Sequence, residues 1–236
     1  MKLALLTAAL VATLAGAQTF REKVAAAEAP TWISYTVPII PGQHQMCNWN
    51  EQRKLMLEGA REMTVLFRVE HRAIQKIRVA TEDCEIDAGG LPLEKVQMTP
   101  AESIAILIGF PEQDSALHAI SLHADPAAAG ALVKIARENA VPKVRGKALF
   151  WLATSAQRKI AKDEIARAVD QDPETEVKKS AVFALSRMPG GEGIPKLIEL
   201  AQSNKNAEVR KQAMFWLGQS KDPKAVDFFE KILAAR

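Results

Sequence analysis

The feature of the sequence that most constrains its fold is an internal repeat of 32 to 33 residues in the C-terminal half. A valine followed by a basic residue recurs at Val144, Val177 and Val209, and an alanine and a leucine follow each valine four and eight positions later. This spacing places three apolar side chains on one face of a helix. A single unit of this kind cannot bury its own apolar face, so the repeat predicts an α-solenoid of stacked units.

A second apolar pattern in the same register predicts a second helix in each unit. Its triplets have i, i+3, i+4 spacing: Leu132, Ile135 and Ala136; Ile165, Ala168 and Val169; Leu197, Leu200 and Ala201; Phe229, Ile232 and Leu233. Four helix pairs result, of which the first is degenerate. A capping-box spacing at Thr99-Pro100-Ala101-Glu102 predicts where the helices begin. We therefore predict an all-α solenoid over residues 101–236.

The segment ahead of the solenoid has the periodicity of strands. Apolar residues alternate over residues 31–41, 64–69 and 74–81, and residues 70–72 are predicted to form a hairpin loop. We therefore expect a small β-rich domain over residues 31–100. The predicted fold class is α+β, with the β-rich domain followed by the all-α solenoid, and mostly α overall.

The first residues have the pattern of a secretory signal peptide. Lys2 is followed by an apolar run over residues 3–14 and by the A-x-A sequence that ends at Ala17. We predict cleavage near Ala17, a linker over residues 18–30, and a periplasmic or secreted mature protein. The apolar run is too short to span a bilayer, so no stable membrane anchor is expected.

The chain contains two cysteines, Cys47 and Cys84, both in the predicted β-rich domain. In an exported protein this usage favours one disulfide, which would stabilise the domain by about 4 kcal/mol. An alternative is a metal site, because His44 and Cys47 are three residues apart. Without a second cysteine pair or paired histidines this pattern is weak, so we predict no metal.

The string from Val209 to Gly218, Val-Arg-x-x-Ala-x-x-x-Leu-Gly, resembles the HEAT-like repeats first described in phycobilin lyases. The resemblance extends over about residues 109–236 and implies an α-solenoid and, most commonly, protein binding; it does not imply lyase activity. The cysteine-bearing segment, followed by repeats with Ala-Met-Phe-Trp-Leu-Gly-Gln, is similar to uncharacterised exported bacterial HEAT-repeat proteins.

Three phenylalanines are the strongest candidates for a partner-binding site. Phe150, Phe183 and Phe215 occupy the sixth position after each repeated valine, on the side away from the core-facing residues. Lys179 and Lys211 lie on nearly the same side, so this surface could accept an apolar or acidic partner segment. Alternatively, the rings pack between neighbouring first helices and only tighten the stack.

Other recurring residues are predicted to be structural. Basic residues follow the repeated valines and polar residues precede them: Arg145, Lys178 and Arg210; Asn139, Asp172 and Asn204. In HEAT-like repeats such residues tie adjacent units together. Trp151 and Trp216 lie at the edge of the apolar face and are expected to pack. Outward charges on the second helices, including that of Arg167, are expected to be solvated.

Known catalytic patterns are missing from the sequence, including the nucleophile elbow, the His-Glu-x-x-His motif and the phosphate loop. Ser103 lies near a helix start, but the sequence assigns it no base. A net charge of +3 is too small to indicate a nucleic-acid partner. We therefore predict no catalytic residues and no cofactor.

The function predicted from these patterns is an exported, non-catalytic scaffold that binds another protein. One alternative is a cofactor- or metal-handling enzyme or accessory protein with its site near His44, Cys47 and Cys84. Another is a structural module of an envelope complex in which the solenoid serves as a spacer.

Overall fold

The computed structural model describes residues 15–42 and 59–234. The chain divides into two compact units, Met1–Ala128 and Ala129–Arg236. The N-terminal unit contains a four-stranded sheet with helices, and the C-terminal unit is a series of helices. The predicted α+β class, mostly helical, is therefore confirmed.

The sheet has the order β3-β2-β1-β4. Its strands are β1 (Thr31–Gly42), β2 (Ala60–Glu70), β3 (Ala73–Thr81) and β4 (Leu93–Lys95). The β1–β2 and β2–β3 pairs are antiparallel, whereas β4 runs parallel to β1. The three predicted strands are present. The fourth strand, β4, pairs with β1 at the edge of the sheet. It has only three residues, too few for a periodic pattern to reveal it.

The predicted hairpin loop between β2 and β3 is a tight turn. His71 and Arg72 both adopt positive φ, at 53° and 59°. Two consecutive residues of this kind match a turn whose twist suits an antiparallel pair. The backbone N–H groups of His71 and Arg72 donate to the carbonyls of Glu28 and Ala27, at 3.0 and 2.8 Å. These bonds offset the cost of left-handed backbone in residues that carry a side chain.

The predicted linker over residues 18–30 is wrong in its first part, because helix α1 spans Ala15–Ala26. Phe20 is buried and contacts Phe67, with ring centroids 4.8 Å apart. The N–H of Ala17 donates to Oε1 of Glu102 at 3.1 Å. A single aromatic in a segment of alanines and charges gives no periodic signal, which explains why the sequence did not predict this helix.

The N-terminal unit extends past the change from strands to helices predicted near residue 100. Helix α2 (Pro100–Leu107) begins with the predicted capping box between Thr99 and Glu102. Helix α3 (Asp114–Leu122) follows, and the side chain of Gln113 accepts a hydrogen bond from the N–H of Ile77 in β3 at 2.9 Å. Both helices bury apolar residues with the sheet in one core.

Seven helices follow in the described part of the chain, and they match the predicted repeat. They are α4 (Ala127–Glu138), α5 (Pro142–Thr154), α6 (Arg158–Gln171), α7 (Thr175–Ser186), α8 (Ile194–Ser203), α9 (Ala207–Gly218) and α10 (Pro223–Ala234), with a 3₁₀ turn at Pro189–Gly191 between α7 and α8. The first helices of the units are α5, α7 and α9, and their repeated valines are buried. Helices α6, α8 and α10 are the second helices of the same units.

Polar turns separate the units at regular intervals. The side chains of Asn139, Asp172 and Asn204 each accept a hydrogen bond from the backbone N–H two residues later, at 2.9 to 3.0 Å. This Asx turn fixes the chain ahead of each first helix. Within the third unit, Gly193 is required by close packing, because a Cβ there would lie 2.0 Å from the carbonyl oxygen of Leu185.

Candidate functional site

An aromatic row crosses the first helices of the C-terminal unit, and we define it as Phe150, Phe183, Trp216 and Phe215. Phe150 and Phe183 are stacked, with centroids 5.4 Å apart and planes 7° apart. Phe183 contacts Trp216 at 4.7 Å, and Trp216 contacts Phe215 at 4.9 Å. Phe150 and Phe183 are half-buried, whereas Phe215 is 53% exposed. The rings therefore pack between neighbouring helices and also present a surface.

The register of the row differs from the one expected from the repeated valines. The repeat shortens from 33 to 32 residues in the last unit, so Trp216, and not Phe215, lies 33 residues after Phe183. In the structure Trp216 continues the stack and Phe215 contacts its edge at an interplanar angle of 80°. Counting from the repeated valine therefore identifies Phe215, and does not identify Trp216, as the side chain that continues the stack.

The two predicted lysines lie beside the row and pair with carboxylates of their own helices. The Nζ atom of Lys179 is 3.1 Å from Oε1 of Glu176, and that of Lys211 is 3.5 Å from Oε1 of Glu208. Exposed pairs of this kind contribute at most about 1 kcal/mol. An incoming carboxylate can therefore replace Glu176 or Glu208 at small cost.

An open groove of about 680 Å³ lies between α5 and α7, next to the stacked rings of Phe150 and Phe183. We call it the first-helix groove. Val141 and Pro142 add apolar groups to its lining, and Lys143 and Lys147 add cationic groups. The groove is predominantly apolar and has a basic rim, which suits a segment of a protein better than a highly polar small molecule.

The basic residues that follow the repeated valines point to the loops between units. Buried Arg145 donates two hydrogen bonds to the carboxylate of Asp172, at 2.9 and 3.0 Å, and a third to the carbonyl of Asn139 at 3.0 Å. Lys178 donates to the carbonyl of Asp170 in the last turn of α6 at 3.0 Å, and Arg210 donates to the carbonyl of Asn204 in the preceding loop at 2.7 Å. These three side chains hold the turns of the solenoid and are unsuited to contact a partner.

A family model described as HEAT repeats matches residues 128–213 and, in a second placement, residues 163–236. The C-terminal helices are therefore similar to HEAT repeats over residues 128–236. A search of curated proteins found no match. HEAT repeats commonly serve as scaffolds for protein–protein interaction, and their stacking presents extended surfaces.

One charged cluster of the HEAT-like repeats could not be predicted from the period. Buried Glu164 in α6 accepts hydrogen bonds from Arg137, at 2.8 and 2.5 Å, and from Arg167, at 2.9 and 2.5 Å. Burial favours the protonated form, but the two arginines outweigh it and lower the pKa of Glu164. Arg167, expected to be solvated, instead neutralises this carboxylate. Because the cluster occurs in a single unit, the repeat gives no signal for it.

The N-terminal unit contains a buried chain of hydrogen bonds through Tyr35, Ser103 and His123. The Tyr35 hydroxyl lies 2.8 Å from Ser103 Oγ, which lies 2.9 Å from His123 Nε2. Nδ1 of His123 is 2.7 Å from the carbonyl oxygen of Ala119, so in the neutral ring Nδ1 carries the proton and donates to that carbonyl. Burial lowers the pKa of His123 below its ordinary value.

Ser103 therefore has a histidine partner that the sequence did not assign. Serine and histidine in contact can act as a nucleophile and its base. Here, however, Ser103, His123 and Tyr35 are all buried, with at most 2% of each exposed. A substrate carbonyl cannot reach the hydroxyl in this arrangement, so the chain of bonds joins β1, α2 and the end of α3 as a structural clamp.

The alternative site in the N-terminal domain falls largely outside the described residues, because His44 and Cys47 lie there. Cys84 is described and lines a small pocket of about 190 Å³ together with Trp32 and Arg78. Within residues 15–42 and 59–234, no three histidine, cysteine or acidic side chains are grouped to hold a metal ion. In those same segments, no helix is both long and apolar enough to cross a membrane.

Proposed function

We propose that this protein is an exported, non-catalytic scaffold whose HEAT-like repeats bind another protein through the face formed by the first helices. The observation that carries the proposal is the aromatic row, which is half-exposed along α5 and α7 and open at Phe215. Aromatic side chains with partial exposure are typical of binding surfaces, because they bury a large area at low entropic cost. Lys179 and Lys211 add charge beside it.

The structure indicates which variant tests the proposal. Replacing Phe150 or Phe183 by serine removes part of a stack between helices, so lost binding could not be separated from lost folding. Phe215 is 53% exposed at the end of the row, and Phe215→Ser should cost less than about 1 kcal/mol of stability. Ile160→Ser is a matched control, because Ile160 is 43% exposed on α6, a second helix.

The experiment is cross-linked partner capture from periplasmic extract with the wild-type protein and the two variants. We expect Phe215→Ser to lose the partner that the wild type and Ile160→Ser both retain, with all three proteins melting within a few degrees of one another. Equal capture by Phe215→Ser, or loss in Ile160→Ser alone, would refute binding through the first helices.

Export and a disulfide between Cys47 and Cys84 form part of the same proposal. They are supported by the signal-peptide pattern that ends at Ala17, by the two cysteines, and by the resemblance to exported bacterial HEAT-repeat proteins. Intact mass and a thiol count on protein recovered from the periplasm test both. A mass that begins at Gln18 with no free thiol is expected. Free thiols with stoichiometric metal would instead favour the metal-handling alternative.

A further inference from the structure

The first-helix groove lies where one unit lacks a side chain that the two following units carry. The second position after the repeated valine is Gly146 in α5, whereas the following units have Lys179 and Lys211 there. A Cβ at Gly146 would lie 2.7 Å from Oγ and 2.8 Å from Cβ of Ser180 in α7. Glycine therefore lets α5 and α7 approach closely, and Gly146 and Ser180 form a floor of small residues.

The walls of the groove are suited to one large apolar side chain. The stacked rings of Phe150 and Phe183 line it together with Val141 and Pro142. Val141 is 45% exposed although it is apolar. An aromatic or large aliphatic group placed against these side chains would remove apolar surface from water on both sides.

The rim of the groove is positively charged. Lys143 and Lys147 line it with a single carboxylate, Glu176, which is itself paired with Lys179 at 3.1 Å. The groove also lies at the N-terminus of α5, whose first turn contains no acidic residue. The unsatisfied N–H groups of a helix N-terminus favour negative charge, and the lysines act in the same direction.

We infer that the segment bound in the first-helix groove is acidic and presents one aromatic or large aliphatic side chain. This inference rests on the proposed function and specifies the chemistry of the partner. The apolar side chain lies on Gly146 and Ser180 between the rings and Val141, and flanking carboxylates face Lys143 and Lys147. Charge complementarity selects this occupant over a basic segment, which the same rim would repel.

Selection of a random-peptide display library for binding to the mature protein tests the inference before the partner itself is identified. We expect the recovered peptides to combine Asp or Glu with Phe, Trp or Leu. Lys143→Glu should weaken the affinity for the recovered peptides by about fivefold, and the affinity should fall with added salt. Lys143 is exposed in the first turn of α5, where glutamate suits the helix dipole, so the variant should fold.

Lys162→Glu is the matched control, because it makes the same charge change at an exposed position of α6. Recovery of basic peptides, no enrichment at all, or equal weakening by both variants would overturn the inference. A dimer of this chain that Lys143→Glu dissociates would also overturn it, since the occupant would then be a second copy. If Phe215→Ser abolishes partner capture while the library yields no acidic peptides, the inference fails and the proposed function stands.

Discussion

The two units of this protein differ in where they place buried polar groups. In the N-terminal unit, Tyr35, Ser103 and His123 come from a strand, a helix and a helix end, and are joined by hydrogen bonds at the centre of the core. In the C-terminal unit, buried charge lies at the junctions of repeats, as in the pair of Arg145 and Asp172. The first arrangement depends on contacts between residues far apart in the sequence, and the second on contacts between adjacent repeats, such as that of Arg145 with Asp172, 27 residues later.

This difference indicates which contacts determine the arrangement of the elements in each unit. A sheet with helices needs its polar bonds to fix which elements meet, because 68 residues separate Tyr35 from Ser103. A repeat array obtains its order from stacking and needs the polar residues to set each turn. Consequently the faces of the repeats are free to vary, which is where the aromatic row and the first-helix groove lie.

The largest effect is expected from Arg145→Ala, which tests the charged junction of the repeats. It leaves the buried carboxylate of Asp172 without its partner, and should lower the free energy of unfolding by about 3–5 kcal/mol. Urea titration followed by tryptophan fluorescence measures the loss. The double variant Arg145→Ala with Asp172→Asn should recover part of it. A loss below about 1 kcal/mol would show that the junction is not held by this pair.

The next largest effect is expected from Ser103→Ala, which tests the clamp of the N-terminal unit. The change leaves the Tyr35 hydroxyl and Nε2 of His123 without their shared partner, and should cost about 2 kcal/mol. Tyr35→Phe and the double variant complete a mutant cycle in urea titration. Because the groups form one chain, the effects should not add. Strict additivity would contradict the clamp.

A smaller effect is expected from a fall in pH, which should destabilise the two units over different pH ranges. Burial lowers the pKa of His123 below 6.5, so the folded N-terminal unit binds fewer protons than the unfolded chain. Its stability should therefore be full above pH 6.5 and decline as the pH falls from there through the folded pKa. The lowered carboxylate pKa values of Glu164 and Asp172 act only at lower pH, below their ordinary values of 4.5 and 3.8.

Urea titrations between pH 7 and pH 5, each with the wild type and with His123→Gln, measure this contribution. The free energy of unfolding of the variant should change less with pH in that interval, because glutamine does not titrate. Asp125 lies near enough to stabilise the charged ring and moderates the decline. The same slope in both proteins would assign the acid sensitivity to another group.

The smallest effect concerns the floor of the groove. Gly146→Ala should destabilise the protein by about 1 kcal/mol, because the clash with Ser180 outweighs the gain in helix propensity. Adding Ser180→Gly should restore most of the loss, since the glycine is then supplied by the facing helix. The melting temperatures of the wild type and of these two variants test this prediction. If Gly146→Ala alone is stabilising, the helices do not approach as closely as described.

The sequence predicts the repeats better than the sheet unit for a physical reason. Val144, Val177 and Val209 report the same packing three times, so the period identifies the helices and their core faces. Phe20 occurs once, in a segment without periodicity, and its burial depends on distant residues such as Phe67. The same limit explains why Ser103 was not paired with His123.

Within the candidate site, the sequence predicts the aromatic positions but not their geometry. The three phenylalanines lie on the first helices, and the stack continues through Trp216 because the last repeat is one residue shorter. The groove is lined by Gly146, where the repeat pattern breaks, so the period gives no signal for it. Features that occur in only one unit can be identified from the structure but not from the repeat pattern.

The most direct test of the central claim is hydrogen exchange on the full-length protein with and without the captured partner. The account predicts added protection in α5, α7 and α9, strongest around Phe150 and Phe183, with little change in α6, α8 and α10. Protection confined to those second helices, or to the sheet of the N-terminal unit, would contradict partner binding through the first-helix face.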